Sequence, residues 1–164
     1  MKDARVKVIE ALPANPIRAL FNRADLRNHR KIAVIDRAIG YTGSQNLAAP
    51  DFVPGFPNRE LVARVRGPAV AQLAALFASD WYLETGDALD VASCAPLPGG
   101  GIAQVLPSGP SYPFENARDA VVALLQRARR RVVLATPYFV PDDAVLAALR
   151  IAALSGVEVA LILS

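Results

Sequence analysis

In 164 residues the chain has one histidine, one cysteine, one methionine and one tryptophan. The lone Cys94 excludes an internal disulfide and any cysteine metal cluster. With His29 as its only companion, a protein-built zinc site has no ligand set. Lysine is scarce as well: Lys2, Lys7 and Lys31 are the only three, so arginine carries most of the positive charge. The net charge is +3 and the pI near 9.3. That mild excess suits an anionic partner without choosing between phospholipid and nucleic acid. No apolar run approaches the length of a bilayer-spanning helix. The opening MKDARVKVIE has the alternation of a strand already under way, not the core of a signal peptide.

The chain does have a large apolar fraction. At 53% hydrophobic and 20% charged it has material for a proper core and is far from a disordered composition. Residues 4–10 read as a strand, and 11–27 as a proline-broken loop. RKIAVID (30–36) reads as a strand buried on both faces, followed by RAIGYTGS as its hairpin-like partner. After a proline-rich loop over 47–58, RELVARVRG (59–67) alternates as a strand. A helix then starts at Pro68 and stops before Gly86, with Val70, Leu73, Ala74, Phe77 and Trp81 on one face. Residues 86–101, closing on PLPGGG, are the linker.

Beyond the linker the pattern restarts: a strand over IAQVLPS, a helix over ENARDAVVALLQRARR, a strand over RVVLATP, a helix capped by Asp142 or Asp143, and a strand over VEVALIL. Alternating strands and helices predict an α/β fold with a largely parallel sheet flanked by helices. The organisation is bipartite: 1–85, a linker over 86–101, and 102–164. Both ends read as cut from a longer fold, so the sheet is expected to be incomplete in each half.

One stretch concentrates reactive groups: HRKIAVIDRAIGYTGSQN, residues 29–46. If the strand begins at His29, then His29 and Lys31, two apart, face one site. The Gly43-Ser44 turn offers backbone N–H groups to an anion. Asn46 adds an amide donor and Lys31 a cation, both suited to non-bridging phosphate oxygens as charge develops. Glu60, opening the next strand, is the candidate to orient His29. Each part alone is an ordinary surface feature; together, at this spacing, they describe phosphodiester chemistry.

His29-x-Lys31, four residues, Asp36, six residues and Gly43-Ser44-x-Asn46 resemble the signature of the phospholipase D superfamily. RNHRKIAVID, DWYLETGD, VLPSGP and TPYFVPDDAVLAALRIAALSGVEVALIL are similar to its bacterial cardiolipin synthase branch. The resemblance implies a phospholipase D-like mixed α/β fold of two similar domains, each giving one His-Lys-Asp motif to a shared site. On this chain, 1–85 would be the C-terminal part of the first domain and 102–164 the N-terminal part of the second. It implies two phosphatidylglycerols as substrates, a phosphohistidine intermediate and no metal or other cofactor. His29 would be nucleophile or general acid/base; Lys31, Gly43, Ser44 and Asn46 would bind phosphate, and Asp36 would give structural support. The implied setting is anionic phospholipid at a membrane surface, with no nucleic acid, at the cytoplasmic membrane, held peripherally or by segments beyond this chain.

The sequence departs from that pattern by having no second histidine. Three readings stay open: the transferase, with a homodimer pairing two His29 as one arrangement; a phosphodiesterase using water; and a binding remnant without chemistry. Tyr138 and Phe139, just past a strand end, are expected along the substrate path. RARRR (127–131) serves a helix end, Trp81 the helix core, and Arg59, Arg64 and Arg66 are expected to share one strand face, either solvent or a basic wall.

Overall fold

The computed structural model of the chain describes residues 6–9, 28–49, 55, 59–91, 101–109 and 112–163. The loop expected at 11–27, most of that at 50–58, and the linker residues 92–100 with Cys94 lie outside the described residues. The chain divides into two compact units, Met1–Val105 and Leu106–Ser164.

Among the described residues the first unit holds three strands, β1 (Ile32–Ile35), β2 (Ile39–Gly43) and β3 (Val62–Arg66), in the order β1-β2-β3. Both pairings are antiparallel: Ile32 pairs with Thr42, Val34 with Gly40, and Gly40 with Val65. Helix α1 (Pro68–Thr85) follows. It starts at the proline, whose missing N–H costs nothing there. It stops at Gly86, φ 74°, whose N–H reaches the Tyr82 carbonyl at 2.8 Å. Val70 and Leu73 of α1 are fully buried. A Cβ on Gly40 would lie 2.7 Å from Leu73 Cδ1, so the Leu73 side chain packs closely over the sheet at this glycine.

Because α1 meets the Gly40 face, the opposite face carries Tyr41, Arg64 and Arg66, and both arginines are exposed. β1 is therefore not buried on both faces as expected. It alternates half-buried and exposed, and Ile35 is 48% exposed, as an antiparallel strand covered on one side should be. Residues 6–9 have no strand pairing among the described residues. Lys7 from that segment lies over the Trp81 ring, 4.8 Å from its centroid, and pairs with Asp87 at 3.2 Å.

The second unit runs α2 (Asn116–Arg127), β4 (Arg131–Thr136), α3 (Asp143–Leu154) and β5 (Glu158–Leu163). β4 and β5 pair in parallel, with α3 as the crossover that parallel strands require. Leu125, Val132, Ala148, Leu149, Ala152 and Val157 form its buried core. Asp142 caps α3 by accepting from the Val145 N–H at 2.9 Å. The strand expected at 102–108 is irregular backbone. The chain is thus a mixed α/β protein, and among the described residues its parallel pairing is confined to β4–β5.

Candidate active site

The three-stranded sheet sorts the candidate residues into two groups. β1 starts just after Lys31, β2 ends at Gly43, and β3 starts just after Leu61, with Gly43 opposite Val62. His29 and Lys31, Ser44 and Asn46, and Glu60 therefore leave the sheet at one end, on neighbouring strands about 4.8 Å apart. Asp36 sits at the other end, about 16 Å from Lys31 along β1.

Asp36 and Arg37 have φ of 52° and 55°, and the Ala38 N–H donates to the Ile35 carbonyl at 3.0 Å. Both residues are left-handed in a tight turn closed by that hydrogen bond, and aspartate is among the few non-glycine residues that tolerate this conformation. Asp36 thus has a backbone reason for its place.

At the other end, Gly43 is the last residue of β2 rather than part of an open turn. A Cβ there would lie 2.2 Å from the Leu61 carbonyl oxygen and 2.8 Å from the Val62 Cα, so only glycine lets β2 run this close to β3. The Ser44 N–H donates to the Leu61 carbonyl at 3.0 Å, so it is engaged and not offered to an anion. The Ser44 hydroxyl donates to Glu60 Oε2 at 2.5 Å and accepts from the Leu61 N–H at 2.9 Å. Ser44 is thus a brace for Glu60 before it is a phosphate ligand. Glu60 was expected to orient His29, yet among the described residues its carboxylate bonds to Ser44 and makes no hydrogen bond to His29.

Lys31 Nζ folds back to donate to the His29 carbonyl at 2.7 Å. It forms no ion pair among the described residues, and an ammonium has two further protons for an anion. His29 and Asn46 are exposed, and Lys31 and Glu60 are half-buried.

The residues flanking His29 were not legible as functional in the sequence. Arg30 Nη1 donates to both oxygens of Asp80, at 2.7 and 2.9 Å, and Asn28 Nδ2 donates to Asp80 Oδ2 at 2.8 Å. The Arg30 N–H closes an Asx turn on Asn28 Oδ1 at 2.9 Å. The Asn28-x-Arg30 spacing is a local hint of that turn; nothing local points to Asp80, fifty positions away on α1.

Tyr138 belongs to the second unit and is 84% exposed, its backbone tied to the Thr136 hydroxyl at 2.9 and 3.3 Å. Phe139, expected along a substrate path, packs against that unit's core instead. No helix among the described residues is long and apolar enough to cross a membrane.

Residues 1–81 and 121–164 match the family described as cardiolipin synthase, PLD-like domain. Over 99% of its length the chain is 40% identical to cardiolipin synthase A of Pectobacterium carotovorum and 38% identical to that of Serratia proteamaculans. It spans 35% of the length of each of these relatives. The matched segments include the whole His29–Glu60 end of the sheet and the β4-α3-β5 unit, and the chain belongs to the cardiolipin synthase, phospholipase D-like domain family.

Proposed function

We propose that this chain furnishes one half-site of a phosphatidyltransferase that makes cardiolipin from two phosphatidylglycerols through a phosphohistidine. The observation that carries the reading is the gathering of His29, Lys31, Asn46 and the Ser44–Glu60 pair at one end of the β1-β2-β3 sheet. The family membership and the names of the relatives support it.

In the first step a ring nitrogen of His29 attacks phosphorus. A P–N bond forms, the P–O bond to glycerol breaks, and glycerol leaves with a proton from a general acid. Lys31 and Asn46 hold the non-bridging oxygens, where negative charge builds. In the second step a hydroxyl of another phosphatidylglycerol attacks phosphorus, the P–N bond breaks, and that hydroxyl's proton passes to the same acid–base group. Splitting the exchange in this way replaces one difficult displacement by two easier ones. Glu60 supports the site through Ser44, and Asp36 fixes the hairpin on which Lys31 is carried. The two units are the end of one phospholipase D-like domain and the start of the next. The substrate is an anionic phospholipid met at a membrane surface.

With His29 the only histidine, a partner group must come from outside these 164 residues, either from a second motif or from a second copy. The same count favours a second reading, a remnant that binds phosphate without turnover. The test uses the gene product that contains these residues, with and without His29→Ala, given phosphatidylglycerol vesicles and a chelator, with products identified by mass spectrometry. Cardiolipin and glycerol, lost in the variant, are expected. Phosphatidic acid would make water the acceptor. Absence of any product from the unmodified protein would leave the binding remnant.

A further inference from the structure

We propose that Asp80 is the positioning residue for His29: from helix α1 its carboxylate ties down both chain neighbours of the histidine and fixes where the imidazole starts from. The inference rests on the reading of His29 as the group that attacks phosphorus or moves the proton.

The Asp80 carboxylate accepts three hydrogen bonds, two from Arg30 Nη1 and one from Asn28 Nδ2, at 2.7 to 2.9 Å. The residue between those two donors is His29. Asn28 also accepts from the Arg30 N–H at 2.9 Å, which closes the backbone around the histidine. Lys31 Nζ reaches the His29 carbonyl at 2.7 Å from the other side. Backbone or side chain is therefore held at each position from 28 to 31, while the His29 ring makes no hydrogen bond among the described residues and is exposed. A fixed backbone limits where the imidazole can lie, and reaction requires the attacking atom near its target, with the ring itself left to be oriented by substrate.

The pair is also unlike its counterparts on the surface. Arg30 and Asp80 side chains are 25% and 24% exposed, against 65% and 61% for Lys7–Asp87 and 54% and 81% for Arg37–Asp90. Exposed pairs of that kind add little order, whereas a half-buried carboxylate accepting three charge-assisted or amide hydrogen bonds is directional. Asp80 itself is carried on a helix whose Val70 and Leu73 are fully buried against the sheet, so the carboxylate has a rigid base.

The test compares the gene product containing these residues as unmodified protein, Asp80→Ala, Asp80→Glu and Asn28→Ala. One readout is hydrogen exchange at the Arg30 and Lys31 amides; the other is the kcat and KM of phosphatidylglycerol turnover. Asp80→Ala is expected to speed exchange at 30–31 and to lower kcat roughly 10- to 100-fold with KM unchanged, as misplacement of a reacting group does. Asp80→Glu, which keeps the carboxylate, is expected to recover part of kcat. Unchanged exchange and kcat in Asp80→Ala would overturn the proposal, as would a rise in KM matching any fall in kcat/KM. If Asp80→Ala does not fold, Asn28→Ala, which leaves α1 intact, decides by the same two readouts. An unmodified protein that turns over no phosphatidylglycerol refutes the proposed function alone; exchange at 30–31 still decides the part played by Asp80.

Discussion

The Ser44 hydroxyl donates to Glu60 at 2.5 Å across the β2–β3 register, and the same oxygen accepts from the Leu61 N–H at 2.9 Å. One side chain thereby links the end of one strand to the start of the next, sixteen positions on. The link is possible because Gly43 lets the two backbones close to a distance that any Cβ would block.

Ser44→Ala removes the donor to Glu60 and the acceptor for Leu61. We expect a stability loss of about 1 kcal/mol, the usual net worth of a hydrogen bond. A double-mutant cycle with Glu60→Ala, read by urea denaturation, checks it: the two losses should be clearly less than additive. Additive losses would mean that the pair is not coupled.

Gly43→Ala acts on the same end of the sheet through sterics. The new methyl meets the Leu61 carbonyl, a backbone atom that cannot swing aside, so β2 and β3 must part there. Overpacking of this kind costs typically about 1–3 kcal/mol. The expected signature is faster hydrogen exchange at the Ser44 and Leu61 amides, with the β1–β2 pairing kept. Uniform exchange over all three strands would instead indicate global loosening.

Asp142→Ala tests the second unit by itself. Its carboxylate holds the Val145 N–H at the start of α3 and lies 3.5 Å from Arg118 Nη1. Loss of an N-cap of this type costs about 1 kcal/mol, and Asp142→Asn, which keeps the acceptor, should recover most of it. Denaturation of the three proteins monitored by helical circular dichroism gives the answer; equal stability of the alanine and asparagine variants would show that the cap carries no weight.

Short-range signals were legible in the sequence. Pro68 and Gly86 bound α1 because one lacks an N–H that a first turn cannot use and the other accepts φ 74°. The cap of α3 was legible as Asp142 or Asp143, which the structure resolves to Asp142, and the β1–β2 hairpin as two adjacent strand-like runs. The His29, Lys31 and Asn46 candidates were legible as residue types whose spacing suits an anion, and Glu60 as a carboxylate expected to orient the histidine. Only the tertiary structure decided what each of them touches. That Glu60 is bonded to Ser44 and that Phe139 packs against a core depend on which strand ends meet and which helix lies above them. Asp80 is the clearest case: its partners are 50 and 52 positions away, and no local propensity encodes a contact across that distance. Periodicity and caps are set by neighbours within one turn or one strand, whereas a carboxylate's partner is set by the packing of α1 on the sheet, which no segment determines by itself.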